Sequence, residues 1–107
     1  MSTPPPAAER FFVFRLLPPR ATFPADMTPE ERDIMRAHSA YIRDGMAGGK
    51  LVVFGPVGDP KGVWGLGVVR AADEAEAKAL ADADPVIQAD RGFRYEILPM
   101  LSAMVAS

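Results

Sequence analysis

Residues 28–49, TPEERDIMRAHSAYIRDGMAGG, read as one complete helix, and the rest of the chain is arranged around it. Thr28 is a good N-cap, Pro29 suits the first helical position and Glu31 stands three residues past the cap, a capping box with proline at N1. Glu30 and Asp33 lie near the positive end of the helix dipole. Gly48 and Gly49 stop the helix, so it is expected to run to about Ala47. Counting 100° per residue from Ile34, His38 falls at about 40°, Met35 at about 100°, Ile42 at about 80° and Tyr41 at about 340°, whereas Arg36 and Arg43 fall near 180–200°. His38, the only histidine of the chain, therefore sits in the middle of the inward-facing arc.

Upstream, RFFVFRLLP reads as a strand stopped by Pro18-Pro19. Phe12, Phe14 and Leu16 share one face and Phe11 and Val13 the other, as in a central strand. PRATFPADM is a loop. Downstream, KLVVFGP reads as a buried strand of four to six residues, and VGDPKG as a turn. VWGLGVVRA is the next strand, with Trp64, Leu66 and Val68 on one face and Gly65, Gly67 and Val69 on the other. The two glycines leave room there for a ligand or for close packing. Asp73 caps a second helix, EAEAKALADA, whose stripe of alanines with Leu80 calls for close approach to the sheet. Pro85 breaks it, a short turn through Val86, Ile87 and Ala89 follows, and FRYEILP is the last strand, with Phe93, Tyr95 and Ile97 inward.

The order strand, helix, strand, strand, helix, strand is the split βαβ pattern of an α+β, ferredoxin-like domain: four antiparallel strands with two helices on one face. Several strands are apolar on both faces. The second sheet face is thus expected to be covered by another copy of the chain, a homodimer formed through the sheet faces.

The chain has 107 residues, 49% of them apolar and 24% charged, which suits one globular domain. Residues 9–107 are assigned to that domain and residues 1–8, with Pro4-Pro5-Pro6, to a flexible extended tail. A net charge of −2 argues against non-specific nucleic-acid binding. The chain has no cysteine, so it has neither disulfides nor thiolate chemistry. Neither a secretory signal nor a stretch of roughly 20 apolar residues is present, and the reading is a cytoplasmic protein without a membrane partner.

Chemistry centres on His38. A buried imidazole needs a partner for at least one ring nitrogen. A backbone carbonyl would make it structural, whereas a carboxylate would fix its tautomer and make it a general acid or base. Helix phase turns Asp33, Asp44 and Ser39 away from it. The candidate partners are Asp59, Asp82, Asp84 and Asp90. Neither a phosphate loop, a dinucleotide fingerprint nor zinc-ligand spacing is present, so no cofactor and no metal are expected. A mostly apolar pocket would be lined by Phe12 or Phe14, Tyr41, Phe54, Gly65 and Gly67. Arg15, which interrupts an apolar strand, Arg91 and Arg94 are the candidates to meet an acidic group.

Three segments carry a family resemblance: HSAYIRDGMAGGKLVVFGPVGD, GLGVVRAADEAEAKALADADPV and YEILPM. In this order and spacing the chain, from about Arg10 to Pro99, resembles the YCII-related family of small dimeric α+β barrel proteins, some of which are dehydrochlorinases of aromatic breakdown. The resemblance implies a ferredoxin-like fold dimerised through its sheets as a dimeric α+β barrel. It also implies a histidine–aspartate pair between helix and sheet, here His38 with Asp84 of DADP. The expected function is a cofactor-independent lyase or isomerase acting on a small organic substrate. The alternative is a non-catalytic small-molecule-binding or regulatory dimer.

Overall fold

The computed structural model describes residues 10–106; the tail expected over residues 1–8 lies outside them. The elements are β1 (Arg10–Leu17), α1 (Pro29–Ala47), β2 (Leu51–Val57), β3 (Trp64–Ala71), α2 (Glu74–Asp82), α3 (Pro85–Gln88) and β4 (Arg94–Pro99). The sheet order is β2-β3-β1-β4, and all three pairings are antiparallel. This is the strand order of a ferredoxin-like α+β fold, with β1 central as its two apolar faces require.

The barrel is corrected. The sheet is open: β2 and β4 stand at opposite ends of the order, three strand spacings or roughly 14 Å apart, so no pairing joins them. The expectation for KLVVFGP is corrected as well. β2 is an edge strand of seven residues, half-buried rather than buried, and Val53 stays 47% exposed. Its apolar run reflects a sheet face that no helix covers.

Strand alternation sorts the side chains. Phe12, Phe14 and Leu16 are buried against the helices, while Phe11, Val13 and Leu17 are half-buried on the far face. Under α2, Ala77 and Ala81 let the helix approach closely enough to pack on Phe12, Phe14, Val69 and Ala71. A second apolar cluster joins Leu16, Phe23, Val86 and Phe93 beneath α1 and α3. Phe23 and Phe93 meet edge to face, with ring centroids 5.2 Å apart. The loop between β1 and α1 is thereby drawn into the core.

Both sides of the capping box form: the Glu31 amide donates to Thr28 Oγ1 at 3.1 Å and the Thr28 amide to Glu31 Oε1 at 2.9 Å. Arg20 adds a fork onto the same carboxylate, at 2.8 and 2.7 Å, and reaches Asp26 Oδ1 at 2.9 Å. The Arg20 guanidinium holds the Glu31 carboxyl down at about 2, with the Thr28 amide helping. A carboxylate depressed in this way contributes stability above its ordinary titration range, and the contribution is lost as pH falls towards about 2. Arg20→Ala should therefore lower the denaturation midpoint at neutral pH. The gap to the native chain should close as the medium is acidified through the ordinary carboxylate range towards that value. Midpoints measured across pH check this, and a gap that widens in acid contradicts it.

Candidate active site

α1 brings His38 to the sheet, and Asp84 comes from the turn that ends α2. Asp84 precedes Pro85, which biases its backbone to an extended conformation, and it serves as the N-cap of α3 with φ −64° and ψ 129°. Its side chain turns inward as a result. His38 Nδ1 lies 2.8 Å from Asp84 Oδ2, and the two side chains are 8% and 1% exposed. Asp84 accepts two further bonds: the Tyr95 hydroxyl donates to Oδ2 at 2.7 Å and the Val86 amide to Oδ1 at 2.9 Å. A buried carboxylate facing three donors is fully satisfied as an anion. It accepts from His38 Nδ1–H, which directs the proton of a neutral imidazole to Nδ1 and leaves Nε2 as the free base.

Nε2 has no hydrogen-bond partner among the described residues, and His38 lines a cavity of about 520 Å³ between α1, β2, β3 and the β1–α1 loop. The walls are mainly apolar, with Phe23, Met35, Phe54, Trp64 and Phe93 among them. Phe54 meets the imidazole edge to face, with centroids 5.0 Å apart. The ring of Phe54 lies over Gly67: a Cβ built at Gly67 would come within 2.7 Å of Phe54 Cδ2. The room left by the glycines is therefore taken up by this aromatic side chain, which braces the histidine.

The remaining expected site residues are distributed differently. Gly65 and Phe54 line the cavity, whereas Gly67 lies beneath Phe54 and outside the lining. Tyr41 lines a separate cavity of about 310 Å³ together with Asp84 and Tyr95. Its hydroxyl donates to Leu80 O at 2.6 Å, and burial, followed by the charge of Asp84, pushes its pKa up. Tyr95 is raised further by the same causes, so it remains a hydrogen-bond donor to Asp84. Arg15 is on the opposite face of the sheet, paired with Glu96 at 3.1 Å and stacked 4.5 Å over Trp64. One residue of strand alternation separates it from Leu16, which does face the cavity. Arg91 pairs with Glu30 and Arg94 with Glu96, both away from the cavity.

Tyr95, Ser39 and Arg43 were not among the expected site residues. The signal for Tyr95 is its inward strand position opposite Leu16. Among the described residues, no group of three or more His, Cys, Asp or Glu side chains is placed to hold a metal ion, and no helix is long and apolar enough to cross a membrane.

The model of the YCII-related domain matches residues 16–101, which include both members of the pair and every wall of the cavity. The chain belongs to the YCII-related family. No curated protein sequence matches this YCII-related domain. Among solved structures it is similar to that of PA3566 from Pseudomonas aeruginosa, at 10% identity and a TM-score of 0.47, over 90% of this chain and 98% of that one. In this YCII-related domain a buried His38–Asp84 pair stands between two cavities, His38 on the lining of the larger and Asp84 on that of the smaller.

Proposed function

We propose that this YCII-related domain is a small cofactor-independent enzyme that moves a proton on carbon, as a lyase or isomerase does. The observation that carries the reading is the polarity of the pair: Asp84 occupies Nδ1, Nε2 has no partner among the described residues, and His38 lines an apolar cavity large enough for a one-ring substrate. In the first step Nε2 takes a proton from carbon next to a carbonyl; the C–H electron pair becomes a carbon–carbon double bond and the carbonyl π pair moves to oxygen, giving an enolate. Asp84 stabilises the imidazolium that forms. Where a β,γ double bond is conjugated with it, the dienolate is reprotonated at the γ carbon by the same imidazolium; otherwise the carbonyl re-forms, the α–β double bond forms and a β leaving group departs with its bonding pair, taking the proton from the imidazolium. The apolar walls exclude water from the enolate while it lasts. The test is deuterium exchange: small enolisable ketones and lactones in heavy water should gain deuterium at the α carbon faster with the protein than with buffer alone. No exchange above buffer in any of them contradicts the reading.

The second part of the proposal is a homodimer through the uncovered sheet face, which carries Phe11, Val13, Leu66, Val68 and Leu98. Leu98 is 52% exposed, and the buried Nε atoms of Arg15 and Arg70 on this face have no partner among the described residues. A second copy would cover the apolar surface and bring carbonyls to those donors. Sedimentation equilibrium at micromolar concentration should give twice the chain mass, and Leu66→Glu should halve it. A native monomer contradicts the proposal.

A further inference from the structure

The cavity beside His38 has an electrostatic asymmetry that its apolar walls conceal. Only two of its lining residues, His38 and Arg43, are ionisable bases, and no acidic residue lines it among those described. Elsewhere Arg15, Arg20, Arg36, Arg91 and Arg94 each meet a carboxylate. Arg43, like Arg10, Arg32 and Arg70, meets none among the described residues, and of these four only Arg43 lines the cavity. Its helical neighbours one turn away are Ser39, Ala40, Met46 and Ala47, so α1 offers it no ion pair.

The helix orders the polar groups across the cavity wall. Counted from His38, Ile42 stands at about 40°, Met46 at about 80°, Ser39 at about 100° and Arg43 at about 140°. His38 is buried at the inner border of this strip, Ser39 is half-buried and Arg43 is exposed at the outer border. Arg43 lies five residues beyond His38, or about 7.5 Å further along the axis. A molecule filling the cavity thus has its deep end at a free imidazole nitrogen, an apolar middle, and its outer end at a serine hydroxyl and an unpaired guanidinium.

The geometry points to a specific ligand class: the cavity takes a one-ring organic carboxylate, with its carboxylate held by Arg43 and Ser39 at the rim and its ring directed at His38 Nε2. Arg43 is then the residue that selects for an anion. A guanidinium and a hydroxyl give the carboxylate charge-assisted hydrogen bonds. A neutral amide of the same shape leaves the guanidinium without its counter-charge. This inference rests on the reading of the cavity as the substrate site, but it concerns binding and not proton transfer.

The experiment uses benzoate, phenylacetate and cinnamate with their primary amides, titrated into the full chain and followed by amide proton–nitrogen NMR. At least one carboxylate should bind about tenfold more tightly than its amide, with the shifts centred on Ser39, Arg43 and the His38 turn. Arg43→Gln should bring acid and amide to equal affinity, and Arg43→Lys should keep part of the preference. Equal affinities in the native chain, a preference that survives Arg43→Gln, shifts away from the cavity, or no saturable binding of any of the three acids each overturn the assignment. The readout does not depend on turnover. A carboxylate preference without deuterium exchange refutes the proton chemistry alone, and exchange without the preference refutes the ligand class alone.

Discussion

Asp84→Ala should cost about 3–5 kcal/mol of stability, the scale for removing one partner of a buried pair. The side chain is 1% exposed and accepts from His38, Tyr95 and Val86. Alanine leaves all three donors in a space that water does not readily reach, and unmade buried hydrogen bonds are costlier than made ones are favourable. It also removes the cap of α3, on which the placement of Val86 and the second apolar cluster depends. Asp84→Asn should cost much less, because the amide fills the same volume and keeps one acceptor oxygen. Urea unfolding followed through the single tryptophan, Trp64, measures both. Equal and small losses for Ala and Asn would mean that the carboxylate is not structurally coupled to its three donors.

His38→Gln should lower the protein-dependent deuterium exchange by about 10²–10⁴-fold, the usual contribution of a positioned general base. Glutamine can occupy the site and still donate towards Asp84, but it has no nitrogen lone pair to take a proton. The variant separates chemistry from binding: carboxylate probes should retain their preference while exchange disappears. Asp84→Asn should also lose exchange although its imidazole is intact. An asparagine amide N–H favours the tautomer that accepts at Nδ1, which places the proton on Nε2 and blocks the base. Exchange that persists in His38→Gln would move the reaction to another group.

Much of this arrangement was legible locally. The limits of α1 follow from Thr28, Pro29, Glu31 and the paired glycines, because caps act over a single turn. The inward direction of His38 follows from helix phase. The split order of elements leads to the observed strand order because each strand–helix–strand unit sets its two strands one strand apart and the two units interleave, β3 between β1 and β2 and β1 between β3 and β4. The partner of His38 did not follow from phase: four aspartates remained open, and the family resemblance singled out Asp84, 46 residues away. Arg15 misled because an arginine in an apolar strand signals a special position without saying on which face. Arg43 was missed because its phase of about 180° from Ile34 marks it as solvent-facing on a lone helix. The β1–α1 loop, which puts Phe23 and Met27 on the cavity wall, extends the usable surface of α1 round to that side. The closure of the sheet was not legible at all: apolar faces report what needs covering, not whether strand edges meet.

In the proposed mechanism Asp84 holds the His38 proton on Nδ1 and leaves Nε2 free towards the cavity. Long-range nitrogen–proton correlation of the imidazole in the native chain and in Asp84→Asn tests it most directly. In the pH range where the ring is neutral, the native spectrum should show a protonated Nδ1 and a bare Nε2, and Asp84→Asn should invert the two. A native imidazole with its proton on Nε2, or a tautomer indifferent to Asp84→Asn, would contradict the account.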